Sequence, residues 1–599
     1  MLKPALALLA LAGCASSATS PRRPSSSDEE PAAPDASRSN PTGGSSGSGG
    51  TGGRTPPPEG GQGGTPTTAD AAAPDAPPTA PPAPGACAKL FGGGAMSAWV
   101  HYGADGKLVY KTLNAKGDRI MDFSHAGYRG GGVAIPKVPV AMTIGPSGGD
   151  DTTAIQAAID AVSKNPLANG TRGAVLLKAG AWKTTRPLTI ASSGVVLRGS
   201  GAGADGTVID LTSASHVFLY IRGAGGAQGS GPKVTITDDY VPAGASSFTV
   251  SDGSAFKVGD AVLVGRPVTE AWIKYLGMDK LVRDGAQQSW LTAGSVITWE
   301  RTITALAGNK VTVDVPLSDS LDAAYVTPPG GSMQKYAAPG RISEVGLENL
   351  KVTAPVRTAA QAGEPGHGGS QFIEATNAAD SWVKGVAGHN TVEGIHIEGG
   401  CTRITIEDTV IDHDPTDYFT ASAPFDYNIN AGQVLIHRSV SKGGNKIMTA
   451  TTHHGIGPNA IVNFQASGTN SHIQPHLRWA TGLLVDSTVS DSGGSGNDSA
   501  IAFMNRGTAG SGHGWSIAWA TCWNCTAPVI LNQQPPGAMS WVIGGKAMPS
   551  PPTNAPGVPG APMPDGIFES LNVPVAPNSL YLAQLCERLG PQALADIGY

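Results

Sequence analysis

Histidine and arginine crowd one part of this sequence. Five of its thirteen histidines, His453, His454, His472, His476 and His513, fall between positions 453 and 513. Within that span Ser471-His472-Ile473-Gln474-Pro475-His476-Leu477-Arg478-Trp479 is followed by Asn497-Asp498-Ser499, Asn505-Arg506 and Ser511-Gly512-His513-Gly514-Trp515. Such density is hard to ascribe to core packing. One chemistry that uses these types together is β-elimination on a uronic acid, which removes the proton beside a carboxylate and expels the glycosidic oxygen. It needs a base, and a cation to steady the developing charge. His476 or His472 suits the base, because a histidine pKa needs little adjustment to work near neutrality. Arg478 suits a bidentate contact to the uronate, and His513 an acid or second base. Trp479 and Trp515 offer ring faces to a sugar, while His454, Asp498 and Arg506 are further candidates for substrate contact. Arg478-Trp479 is equally explained by an arginine stacked on its neighbouring coil, and His453 and His454, beside a Gly-Pro turn, by a loop.

Hydrolysis of a glycoside asks instead for two carboxyl groups flanking the bond. Asp408, Asp412, Asp414, Asp417 and Asp426 are the nearby supply, and Asp412-His413-Asp414 is their most compact group. The same carboxylates make calcium a candidate ligand, since calcium takes oxygen donors; a short acidic loop left in solvent is the plainer use of them.

Residues this far apart meet only if the chain repeats. Strand patterns over 174–182, 188–190 and 195–201 come at the spacing of solenoid coils, and the rhythm resumes over 345–352, 381–386, 394–398 and 403–410. Further strands are expected over 433–439, 460–464, 483–489, 517–524 and 541–545. No such coil buries its apolar face alone; stacking does it. Equivalent positions on successive coils then stand side by side, so distant polar residues converge in a groove suited to a long polymer.

Before the coils, Gly149-Asp150-Asp151-Thr152-Thr153 leads into Ile155, Ala158, Ile159 and Val162, the i, i+3, i+4, i+7 face of a helix capped by Asp151 or Thr152. Residues of about 205–340 break the rhythm with short strands, and Trp272, Trp290 and Trp299 cluster there. This reads as an inserted β-rich subdomain, whose tryptophans serve sugar stacking or a satellite core. Residues 579–589 form an amphipathic helix that closes near Gly590.

The Gly-Asp-Asp-Thr helix followed by these strands resembles the opening of the pectate-lyase-like (pectin lyase fold) superfamily. The resemblance implies an all-β, right-handed parallel β-helix, with the helix capping strand edges that would otherwise be left open. Pro475 to Gly482 and Gly510 to Trp515 resemble segments of one secreted branch of that superfamily. The resemblance spans nearly all of 87–576 and the helix of 577–599, and implies a polysaccharide as partner. Gly512-His513-Gly514 also resembles the Gly-His-Gly of polygalacturonases, but their Asn-Thr-Asp motif and adjacent aspartates are missing from the matching coils. A lyase, a glycoside hydrolase and a non-catalytic carbohydrate-binding or adhesive β-helix all stay open, because fold does not fix function.

Lys3, the apolar run 5–12 and a small-residue site have the order of a secretory signal, too short to be retained across a bilayer. Leu11-Ala12-Gly13-Cys14 resembles a bacterial lipobox, which implies lipidation at Cys14 and a membrane as second partner. Residues 15–86, rich in Pro, Gly, Ser and Ala, cannot offset the entropy of ordering and read as a disordered tether. Net charge is −6 and no basic stripe appears, so nucleic acid is not an expected partner. A monomer is expected. Apart from Cys14 there are five cysteines, Cys87, Cys401, Cys522, Cys525 and Cys586, which leaves at least one thiol unpaired and the pairing open.

Overall fold

The computed structural model describes residues 85–356, 369–414, 425–443, 446–449, 455–468, 472–491 and 500–599. Cys14 and the spacer up to 84, Asp417, His453, His454 and Asp498 lie outside them. Among the described residues no helix is long and apolar enough to cross a membrane.

The chain is a right-handed parallel β-helix, and each full coil gives one strand to each of three parallel sheets. Thr402–Glu407 lies in the first face, Val410–Asp412 in the second and Phe425–Ile429 in the third, after which Gly432–His437 starts the next turn of the first face. The alternation in these strands decides what points inward. Val175, Leu197, Leu347, Val383, Ile406, Ile436, Ile461, Val485, Cys522 and Val542 pair in one ladder, one residue per coil, and all are buried in the lumen. The corner between the first and second faces falls repeatedly on a left-handed residue: Asn349, Asp408, Asn463 and Asn524 have φ between 49° and 55° there. Asparagine and aspartate tolerate that region better than other side chains that carry a Cβ.

The helix Thr152–Val162 covers the first coils with Ile155, Ala158, Ile159 and Val162 buried, as their spacing requires. Its first amide is met by Asp150, whose Oδ1 accepts from Thr152 N at 3.0 Å. Asp151 instead accepts from Ser147 N (2.8 Å) and Lys183 N (3.1 Å), which ties the helix to the strand Gly180–Thr184.

The insertion begins later than the sequence pattern implies. Thr207–Leu211 and Val217–Arg222 fall within 205–340, yet they pair with solenoid strands on both sides. The coil stacked on them arrives only after the insertion, at Lys351–Thr353 and Gln371–Thr376, so their membership shows only in three dimensions. Between Arg222 and Ile342 a six-stranded antiparallel sheet forms, centred on Ala261–Pro267, Val296–Ala307 and Ser332–Ala337.

A second core lies outside the lumen, between this insertion, the outer side of the first face and the segments 87–126 and 575–597. Residues 95–139 run backward along the first face as a strap. Ala95–Met96 pairs with Val575–Ala576 of the last coils, Phe123 N donates to Gln584, Gly127 N to Gln433 O, and Val138 O accepts from Arg198 of an early coil. The helix Leu580–Leu589, capped by Ser579 and ended at Gly590, packs on the same side, and Cys586 is disulfide-bonded to Cys87. Cys401, Cys522 and Cys525 are free and buried.

Candidate functional site

Coil stacking brings two distant segments of the histidine-rich region together. Ile473 and Ile501 pair in parallel on neighbouring coils, so residues 474–479 and 504–516 are successive connections from the third face to the first. Ile473 points into the lumen core, which turns its neighbours His472 and Gln474 outward, though both are buried.

The two connections are cross-braced by their own polar groups. Arg478 donates through Nη2 to Ser511 O (3.1 Å) and Ser511 Oγ (2.7 Å), and through Nε to Gly512 O (3.3 Å). Arg506 donates from Nη1 to His476 O at 2.9 Å. The imidazoles of His476 and His513 meet edge to face with centroids 4.5 Å apart, and Phe425 lies 6.2 Å from His476. Glycines make this approach workable. A Cβ on Gly510, at φ 49°, would collide with the His513 ring, and one on Gly514 would fall 2.5 Å from Met278 Sδ. His476, Arg478, Arg506 and His513 thus form one basic cluster, in which both imidazoles are themselves buried, at 6% and 4% exposed.

Trp479 and Trp515 sit elsewhere. Both are buried, and Trp479 packs edge-on against Trp272 (5.1 Å) and Trp290 (5.8 Å) of the insertion. Its indole donates to Asp319 Oδ2 at 2.7 Å, and the Trp515 carbonyl accepts from Trp290. These rings hold the insertion to the solenoid, with Trp272, Trp290 and Trp299 in the same outer core.

The described acidic candidates, all but Asp417, are each engaged by an arginine, a histidine or a hydroxyl. Asp408 pairs with Arg438; Asp412 and Asp414 face His389 at 2.8 and 3.5 Å; Asp426, fully buried, accepts from His413 (2.9 Å) and from Ser441. Among the described residues no three His, Cys, Asp or Glu side chains converge as metal ligands.

A further polar group escaped the reading of the sequence. Tyr220, Glu374, His396 and Asn428 stand in register on the outer side of the third face. His396 is held between two carboxylates, Nδ1 at 3.0 Å from Glu393 and Nε2 at 2.8 Å from Glu398, with Asn430 Nδ2 3.4 Å from Glu398. Burial pulls the imidazole pKa down, but the two carboxylates outweigh it and carry it up to about 10. Burial likewise raises Glu398, yet the hydrogen bond from His396 wins and holds it at about 2. At neutral pH His396 is therefore held as an imidazolium and Glu398 as a carboxylate, so Glu398 can accept from a hydroxyl but has no proton for a leaving group. Asn430 also lines a cavity of about 230 Å³ between the coil corners and the insertion, shared with Glu300, Arg301 and Gln433. The two-residue spacing of His396 and Glu398 was the available signal; Glu374 and Asn428 become their neighbours only through the register of the coils.

No family model matches this chain, and no curated protein matches it. Among solved structures it is similar to the gp54 tailspike of Acinetobacter baumannii bacteriophage AP22, in complex with A. baumannii capsular saccharide (12% identity, TM-score 0.35, 68% of this chain and 57% of that one). It is also similar to the tailspike gp61 of Pseudomonas phage phi297 (11%, TM-score 0.28, covering 67% and 69%). A third is the tailspike of E. coli bacteriophage HK620 in complex with pentasaccharide (9%, TM-score 0.36, covering 68% and 55%). The chain thus spans little more than half the length of the AP22 and HK620 tailspikes. At these values the likeness adds nothing to what the strand pairing shows by itself.

Proposed function

We propose that this protein is an exported, lipid-anchored carbohydrate-active protein that cleaves an acidic, uronate-containing glycan by β-elimination. The observation that carries this reading is the basic cluster, in which two imidazoles in contact and two guanidiniums come from successive coil connections. His476 takes the proton beside the uronate carboxylate, the electron pair forms the new carbon–carbon double bond, and the glycosidic oxygen leaves with a proton from His513. Arg478 and Arg506 supply the positive field for the carboxylate and its enolate-like transition state. His472, the other candidate for the base, lies beside Ile473 at the start of the same connection.

The Glu393–His396–Glu398 group does not supply the carboxyl pair that hydrolysis would use. A glycoside hydrolase needs one protonated carboxyl beside one ionised carboxylate, whereas Glu398 is ionised and shares its histidine with Glu393. Export is supported by the secretory order of residues 1–14 and by the Cys87–Cys586 disulfide, a bond that persists in oxidising compartments. Lipidation of Cys14 is tested by Cys14→Ala, which should release the protein from membranes.

A panel of uronate polymers tests the chemistry. Ultraviolet absorbance of an unsaturated uronate supports elimination; new reducing ends without it, or binding with neither, overturn it. His476→Ala and Arg478→Ala should each lower turnover by at least a hundredfold, the usual scale of a lost acid–base or charge-stabilising group. Unchanged turnover in both removes the cluster from the mechanism.

A further inference from the structure

A second cavity, of about 160 Å³, opens in the seam where the strap, the insertion and the solenoid meet. Trp272, Tyr275 and Tyr325 form its aromatic wall, and Lys116, Arg266 and Asp322 its polar one. Tyr275 and Tyr325 are stacked with centroids 4.0 Å apart and 20° between their planes. Tyr275 stays 38% exposed, so the stacked pair offers a flat ring at the mouth. Lys116 Nζ lies 2.9 Å from Asp322 Oδ2 and 4.2 Å over the Tyr240 ring. Asp322 is also held by the Ala324 amide at 3.0 Å.

Arg266 is the unusual member. It is 3% exposed, its Nε is 3.3 Å from Asp319, and its guanidinium carbon lies 3.7 Å over the Trp272 ring. Its Nη1 is buried with no hydrogen-bond partner. A charged donor left unmet is costly, and here it belongs to a side chain that lines a cavity. The charges already cancel in pairs, Arg266 with Asp319 and Lys116 with Asp322, so the cavity favours a neutral guest over an ion.

We infer that this cavity is a sugar subsite that takes one neutral pyranose ring of a glycan. The apolar face of the ring lies on Tyr275, and its hydroxyls face Lys116 and Asp322, a donor and an acceptor set side by side. Aromatic rings carry such a face well, being apolar in body with a polar rim. Trp479 lines this cavity, whereas His476 and His513 do not. It shares with the proposed function only the class of ligand, since nothing in it depends on how a bond is cut.

Saturation-transfer NMR on the full chain, with methyl glycosides of glucose, galactose, mannose and N-acetylglucosamine as probes, tests it. At least one should bind, and Tyr275→Ala and Lys116→Met should each weaken it about tenfold, the equivalent of one good contact. Both positions face solvent, so the melting temperature should stay unchanged. Binding by none of the probes, or binding equal to wild type in both variants, overturns the subsite. Uronate cleavage measured alongside separates the two readings: cleavage without glycoside binding sinks the subsite alone, and binding here without cleavage sinks the elimination alone.

Discussion

Asp319 is the polar pin between insertion and solenoid, and its removal offers a demanding test of the seam. Its carboxylate accepts from Trp479 Nε1 at 2.7 Å and Trp519 Nε1 at 2.8 Å, and it lies 3.3 Å from Arg266 Nε. Asp319 and Arg266 are 2% and 3% exposed, so solvent screens the pair little. Asp319→Ala leaves a buried guanidinium without its counter-charge, a change that costs about 3–5 kcal/mol. Each orphaned indole N–H adds roughly 1 kcal/mol or more, less whatever water recovers through the adjoining cavity. The expected loss is about 5 kcal/mol, concentrated in the attachment of the insertion. Hydrogen exchange should show it as lost protection in Ala261–Pro267 and Val296–Ala307, while Thr402–Glu407 and Gly432–His437 keep theirs. Adding Arg266→Met removes the orphan charge and should restore about half of the loss, which the double-mutant cycle reads directly. A single variant within about 1 kcal/mol of wild type, or a double variant no better than the single, refutes the assignment.

Three other outcomes follow from buried groups. Burial lifts the Asp486 carboxyl from 3.8 to about 6, against the lowering by Ser579, Tyr581 and Ser487. The folded state therefore holds this proton more tightly than the unfolded chain. Its contribution is full below pH 4 and is lost as pH rises to about 6, by about 3 kcal/mol. Asp486→Asn should flatten that slope in urea midpoints taken across the window, and an unchanged slope counts against it. Cys87 and Cys586 are 499 residues apart, so Cys87→Ala should lower stability by up to about 5 kcal/mol, read as a fall in melting temperature; equal melting contradicts the cross-link. A Cβ at Gly346 would lie 2.5 Å from the buried Trp382 ring, so Gly346→Ala should cost about 1–3 kcal/mol in chemical unfolding, and a neutral result shows that the indole can yield.

The coils were legible in the sequence because alternation needs only neighbours. Ile404 and Ile406, or Val434 and Ile436, announce an inward face without any knowledge of the partner strand. The capping helix was legible for the same reason. What escaped depends on contacts between residues far apart. The insertion hides the coil that stacks on Thr207–Leu211, so that strand resembled part of the insertion. Trp479 looks like a sugar platform beside Arg478, and only the folded seam shows it buried against Trp272 and Trp290. Of the candidate site, the nearness of His476, Arg478, Arg506 and His513 follows from counting coils. The Glu393–His396–Glu398 triplet needs the register itself, which no local pattern supplies.

The strap and its disulfide also set how the domain carries load. The first described residues lie beside the last coils, with Ala95–Met96 paired to Val575–Ala576, and the chain reaches the first coil only after running back along its side. A pull on residue 85 therefore meets the Cys87–Cys586 bond within a few residues. Tension passes covalently into the helix Leu580–Leu589 and bypasses the strap and the first coils, which would otherwise be stripped one hydrogen bond at a time. Reduction of that single bond should change the unfolding of a tethered molecule under force from a shear against the far end to a zipper that opens at the strap.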